Sequence, residues 1–459
     1  MKIIIPRETW AEVFAHCLPE QLLEKKLGSS LQDNKQYCNS SYAPLLLCHV
    51  SHAWREIATS QSPLWTSLSI EVSSGRASCS IDAASMWMNS SGVLPLSLSL
   101  VQRSGSDENR RVTEDFLELY ARHIDRWKNV EFDILRPLYR NEPSRKREAP
   151  LLERCFIHNS RVNESTVDAI LPMLGNVPIL SNLCLNWYPQ QTGNKRDELI
   201  PWQRLLHLEL QPISSVQQTL NLLQECENVV ECVLSIEKMD RVDILITIEH
   251  LSLTSLVLSA PPRVLSAFFE QVTFPALKTL SIRTIEPMGV WTYPIFDAFL
   301  KRSGCRILCL EFHNLGISKD DLETCLKHDS MQSLEELHII DGRDWLWEPL
   351  IDDSLLRILT ETTEDKDDGP VNTDDNKLEL DVLSTGIALN LACISISGDW
   401  CIRALDGAFA DMIGSRCSRK GSRGRLNRLE LQGSKVVSEK DLRELRLLEK
   451  EGLQLFFPQ

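Results

Sequence analysis

The chain carries 14 cysteines and ten histidines in 459 residues, so the first question is whether any of them are spaced to hold a metal or to act as a nucleophile. Cys38, Cys48, His49 and His52 are donor types that zinc takes, but their spacing matches no pattern of paired ligands. Cys305 and Cys309 straddle a strand-like string. Their three-residue gap would put both on one sheet face, where packing explains them better than ligation. No Cys-x-x-Cys pair occurs. Most cysteines sit among aliphatics, as in Leu183-Cys184-Leu185 and Leu308-Cys309-Leu310, and read as small buried hydrophobes. There is no phosphate-binding loop, no Gly-x-Ser-x-Gly elbow and no His-Glu-x-x-His. Gly414-Ser415-Arg416 and Gly421-Ser422-Arg423 repeat weakly, without a strand before or a helix after. The expectation is a chain with no catalytic residue, no metal and no cofactor.

Residue types suited to recognition are more prominent. Trp291, Trp345, Trp347 and Trp400 each follow a strand-like string, where loops meet a sheet rim. Tryptophan is favoured at protein interfaces, so these four are candidates for target binding. An equally weighted reading is that they seal gaps between irregular repeats. An acidic stretch at about 361–376 reads as a disordered insert. A basic stretch at about 413–425 reads as a solvated loop or a contact for an acidic partner.

The bulk numbers narrow the class. The net charge of −15 argues against a general nucleic-acid binder, whose affinity rests on neutralising phosphates. No apolar run approaches the roughly 20 residues that span a bilayer, and Ile3 to Ile5 is too short for the apolar core of a leader. An intracellular protein, cytoplasmic and/or nuclear, with reduced thiols is expected.

The elements that must position these residues come next. Pro6 suits a first helical turn, and Trp10, Val13, Phe14, Cys17 and Leu18 follow at helical spacing, with Glu8 near the positive helix end. A polar loop runs from about 24 to 42. Pro44 opens a second helical stripe of Leu46, Val50, Ala53, Trp54 and Ile57. Then come Leu64-Trp65 and a strand through Leu68, Ile70 and Val72.

Ile5-Pro6-x-Glu8 with Val13-Phe14, Val50-x-x-x-Trp54 and Pro63-Leu64-Trp65, taken in order, resemble an F-box, in particular that of the F-box proteins abundant in fungi. The likeness covers residues 4–70. It implies a three-helix module that binds a Skp-type adaptor and, through it, a cullin. Ile5, Pro6, Glu8, Trp10, Val13, Phe14, Leu46, Val50, Trp54, Leu64 and Trp65 would form its core or adaptor face. The family's Val-Cys-Arg-x-Trp reads Val50-Ser51-His52-Ala53-Trp54 here, and Thr9 stands for an aliphatic.

From Trp65 onward a string of aliphatic-x-x-aliphatic-x-aliphatic recurs with relaxed copies, the strand signature of leucine-rich repeats, its first copy joined directly to the F-box-like segment. It begins at Trp65, Trp127, Leu152, Leu180, Leu205, Val229, Leu253, Leu277, Cys305, Leu334, Leu391 and Leu426, and Leu94 to Leu100 mark one more strand. Helix-forming segments follow many copies, including 216–224, 263–271, 295–301 and 319–328. A charged helix over 438–450 would close the array. The fold expected is therefore an α-helical F-box over 1–70, followed over 71–459 by an irregular α/β leucine-rich-repeat-like solenoid. The function expected is a substrate receptor of a cullin–RING ubiquitin ligase that binds an unknown protein target. The alternative is a repeat-based interaction scaffold with a degenerate F-box and no ligase role.

Overall fold

The computed structural model describes residues 6–18, 43–135, 147–158, 174–185, 200–238, 247–284, 291–342, 348–360, 362–363, 384–385, 390–398, 401–417, 425–433 and 437–457. By contact, the chain divides into two units. The first holds Met1–Ser214 and Glu225–Ser235, and the second holds Ser215–Gln224 and Ile236–Gln459.

The first unit opens with α1 (Arg7–His16), α2 (Leu45–Val50) and α3 (His52–Ser60). A 3-10 turn, Ser62–Trp65, leads into β1 (Ser67–Ser73). Then follow α4 (Ile81–Ser90), β2 (Leu96–Gln102), α5 (Asp107–Ala121), β3 (Trp127–Asp133), β4 (Arg154–His158), β5 (Asn182–Leu185), β6 (His207–Ser215) and β7 (Glu231–Lys238). These strands are neighbours in chain order, and β1 to β6 pair in parallel; the two-residue strand Arg76–Ala77 runs antiparallel on the free side of β1. Parallel neighbours need a crossover. Among the described residues α4 supplies it between β1 and β2 and α5 between β2 and β3, with Ser80 and Ser106 capping these helices through their hydroxyls.

The second unit repeats the scheme. Helix α6 (Val216–Glu225) lies mostly within it. Strands β8 (Ser255–Ser259), β9 (Thr279–Arg283), β10 (Cys309–His313), β11 (Glu336–Ile340), β12 (Cys393–Ser397), β13 (Arg428–Gln432) and β14 (Gln454–Phe456) pair in parallel and in chain order. Between them run α7 (Pro262–Gln271), α8 (Tyr293–Ser303), α9 (Lys319–Leu326), α10 (Asp353–Leu359), α11 (Ala408–Cys417) and α12 (Glu439–Lys450). Ser318, Asp352 and Ser438 cap three of these. The register matches aliphatic to aliphatic. Leu256, Leu280, Leu310, Leu337, Ile394 and Leu429 form one buried row, and Leu258, Ile282, Phe312, Ile339, Ile396 and Leu431 another. Each row buries aliphatic area worth about 1.5–3 kcal/mol per side chain.

The expectation of an α-helical domain set ahead of a solenoid is corrected. The fold is α/β, with mostly parallel sheet strands, and α1–α3 form no domain of their own. The physical reason is the shortage of apolar surface: α1 buries only Phe14. Trp65, expected both to end the helical module and to open the first strand copy, ties the two together. Its indole Nε1 donates to the Ala58 carbonyl at 2.9 Å, seven residues back, and its ring meets Trp87 of α4 edge-on at 4.9 Å. Trp127, which opens β3, makes the same bond to the Tyr120 carbonyl at 3.0 Å, also seven residues back. The last turn of α3 is thus tied to the sheet as the last turn of α5 is.

Four smaller expectations also change. The stripe from Leu46 to Ile57 is two helices, because Ser51 is extended (φ −161°, ψ 166°) and uses its hydroxyl to cap α3 at the Trp54 amide. The string placed at Cys305 begins instead at Ile307, with Leu310 and Phe312 buried, and Leu94 precedes its strand. The basic stretch from 413 starts as helix, since α11 runs through Cys417, and Arg416 is buried with its Nε donating to the Leu359 carbonyl at 2.7 Å. The polar loop at about 24–42, the residues of the acidic insert at 364–376 and those of the basic stretch at 418–424 lie outside the described residues.

Candidate docking surfaces

Two surfaces have side chains arranged for recognition. The first is built by α1–α3. Pro6 precedes α1, its carbonyl accepting from the Trp10 amide at 3.2 Å, and Glu8 lies in the first turn. Trp10, Phe14 and Trp54 form an aromatic triad, with ring centroids 4.9 Å apart for both pairs involving Trp54. This triad packs α1 on α3. Arg55 Nε donates to the Cys48 carbonyl at 2.9 Å and ties α3 to α2. Burial then separates the expected residues into two sets. Phe14, Leu64 and Trp65 are core, while Val13, Leu46 and Val50 are 43%, 46% and 55% exposed. Trp10 and Trp54 are half-buried, and Pro6 and Glu8 are exposed. Helix α2 buries Leu47 and Cys48 instead, which the helical stripe did not indicate. A break at Ser51 rotates that face, and serine preceding a helix is the signal that could have shown it. Ile5 lies outside the described residues.

Of the donors first considered for zinc, Cys48, His49 and His52 form no cluster among the described residues. Cys48 is buried and its thiol is pushed up by burial, against a smaller opposing effect of Arg55. His49 and His52 are exposed, and Cys38 lies outside the described residues.

The second surface is the sheet face opposite the buried aliphatic rows. Side chains alternate across a strand, so this face takes the residues between the aliphatics. In the first unit it carries Ser69, Ser99, Asn129 and His158, each with a buried polar atom that has no hydrogen-bond partner among the described residues. His207 and Glu231 meet there at 3.0 Å. In the second unit it carries Arg283, Glu311, His313, Glu336, His338 and Glu430. Burial alone would raise the Glu311 carboxyl. Hydrogen bonds from His313 and Ser281, and the charges of His313 and Arg283, outweigh it and hold it down to about 2. Arg428 pairs with Glu430 and lies 5.1 Å over the Phe456 ring. Such a face, dense in charge and hydrogen-bonding groups, suits a polar macromolecular surface.

The tryptophans considered for target binding are placed differently. Trp291 is buried against Phe296 at 5.4 Å and Phe269 at 6.4 Å, so it seals the packing of α7 and α8 and offers no contact surface. Trp345, Trp347 and Trp400 lie outside the described residues. No helix among the described residues is long and apolar enough to cross a membrane. No protein-family model matches the chain, and no curated protein matches it either.

Proposed function

We propose that the chain is a substrate receptor of a cullin–RING ubiquitin ligase, in which the surface of α1–α3 docks a Skp-type adaptor and the polar sheet face binds a protein target. The observation that carries this reading is the exposure of Val13, Leu46 and Val50. Three aliphatic side chains, at the positions where the sequence resembles an F-box, stay about half in water beside a packed aromatic triad. Burial of such side chains is what a docking partner would supply. Catalysis would be by proximity: the chain raises the local concentration of the target at the transfer machinery and contributes no nucleophile.

The test is binding of the full-length chain to a purified Skp-type adaptor, compared with a Leu46→Asp, Val50→Asp variant. Because both side chains are exposed, the variant keeps the fold. The expected result is a complex with the parent chain and none with the variant. A well-folded parent chain that forms no complex at micromolar concentration would overturn the reading. Truncation is a poorer probe, because it removes the Ala58 carbonyl to which Trp65 donates.

A further inference from the structure

Cys309 opens β10 and Glu336 opens β11, and the two are register partners on adjacent parallel strands. His338 stands two residues along β11 from Glu336, so all three side chains leave the sheet on the same, open face. Their potential donor atoms, one sulfur, one carboxylate oxygen and one imidazole nitrogen, lie within 4.8 Å of one another. His338 Nε2 and a Glu336 oxygen are already 3.4 Å apart. Donors on a tetrahedral zinc at about 2.0–2.3 Å are separated by about 3.5 Å, so side-chain rotation of about 1 Å closes the set.

From this geometry we propose a site for a thiophilic divalent cation, of which zinc is the type, held by Cys309 Sγ, Glu336 and His338 on the open face of the second unit. The donor set is mixed sulfur, nitrogen and oxygen, which favours zinc over magnesium or calcium. Three protein donors leave a fourth position for water. On binding, the Cys309 thiol releases its proton to solvent. The thiolate and one carboxylate then balance the dication, while the imidazole stays neutral.

The surroundings are arranged for a cation. Glu336 lies beside Cys309 across the strand pair, and Glu311 stands two residues along β10 on the same face. The titratable groups facing the cluster are Arg283 on β9, Glu311 and His313 on β10, Cys393 on β12, and Arg428 and Glu430 on β13. Arg283 and Arg428 are each engaged by a carboxylate, Glu311 and Glu430 respectively. Cys305, by contrast, is buried ahead of the strand and takes no part. The alternation that hides the aliphatic rows places Cys309 on the other face, which its flanking leucines obscured.

The site is tested with the full-length chain, stripped by a chelator and titrated with cobalt(II). The expected result is visible ligand-field absorption with a near-ultraviolet thiolate-to-cobalt band, saturating at one equivalent and displaced by zinc. Loss of an outer-shell partner typically weakens a metal about 10- to 100-fold. Loss of a direct donor in Cys309→Ser or His338→Gln is therefore expected to weaken zinc by more than about 100-fold, and Cys309→Ser should remove the thiolate band. Cys17→Ser, which changes an exposed thiol elsewhere, should leave both intact. No cobalt spectrum from well-folded protein, or an undiminished thiolate band in Cys309→Ser, would overturn the proposal. Failure here leaves the adaptor reading untouched, because that is read from binding to α1–α3.

Discussion

Replacing Trp65 tests whether α1–α3 share the core of the sheet. Trp65 is almost fully buried, donates its indole N–H to the buried Ala58 carbonyl and stacks edge-on with Trp87. Trp65→Phe keeps most of the ring and removes only the donor. The Ala58 carbonyl keeps the Gln61 amide at 3.2 Å, so losing the indole donor costs about 0.5–1.5 kcal/mol, the net worth of one hydrogen bond. Trp65→Ala also removes the ring, for a total of about 3–5 kcal/mol, of which the edge-on pair accounts for about 0.5–1.5 kcal/mol. The larger value is a sizeable part of the 5–15 kcal/mol that holds a domain folded. The assay is native-state hydrogen exchange, which reads local opening energies along the chain. The amides of α3 and β1 are expected to lose protection together and by the same amount in each variant. Trp127→Phe, at the equivalent position of β3, is expected to cost about as much as Trp65→Phe. The reasoning is refuted if β1 loses protection while α3 keeps it. Helices that keep their protection would have a core of their own.

Truncating the exposed pair, Leu46→Ala with Val50→Ala, is expected to weaken adaptor binding by about 1–2 kcal/mol, or roughly 5- to 30-fold. The thermal midpoint should move by less than about 2 °C, which titration calorimetry and a melting curve will check. Trp291→Ala is expected to destabilise the second unit by about 3–5 kcal/mol in urea unfolding, because Trp291 is packed among phenylalanines. Gly398 has φ +136°, and an added Cβ would lie 2.0 Å from the Asp341 carbonyl oxygen. Gly398→Ala is therefore expected to cost more than about 2 kcal/mol, measured the same way. The Glu311 carboxyl is held at about 2 against an ordinary 4.5. A depressed carboxylate stabilises fully above its unfolded value and loses that contribution as pH falls towards its folded value. Stability of the second unit should thus fall between pH 4.5 and 2, and Glu311→Gln should flatten that fall by about 1–2 kcal/mol after solvent screening.

Much of the sheet was legible because alternation on a strand reports burial directly. The strings at Leu180, Leu205, Leu253, Leu277, Leu334, Leu391 and Leu426 all lead into strands whose aliphatics are buried. At Cys305 two frames compete, since Cys305, Leu308 and Leu310 satisfy the same spacing as Ile307, Leu310 and Phe312. Register with Leu280 and Ile282 decides it, and register is not visible in one strand. The helical stripes fared worse. A stripe shows that one face is apolar but not what covers it, so it left Leu46 and Val50 open between core and adaptor face, and water covers about half of each. Nor could the stripes say whether α1–α3 form a domain, because the deciding bond runs from Trp65 back to Ala58. Arg416 was read as solvated by its charge, and nothing in its neighbours announced the Leu359 carbonyl. The grouping of Cys309 with His338 needs the pairing of β10 with β11, which the sequence states only once the frame is fixed.

The pairing of β12 with β11 has a consequence for how the chain can change in length. About twice as many residues separate Glu336 from Cys393 as separate Cys309 from Glu336, yet the register is the same in both steps. The entropy of closing a connection grows only with the logarithm of its length, so doubling it costs about 0.6 kcal/mol. That is less than burial of a single aliphatic in the rows beneath. Lengthening the connection between β11 and β12 is therefore expected to carry little energetic penalty, because the register of the strands sets the alignment.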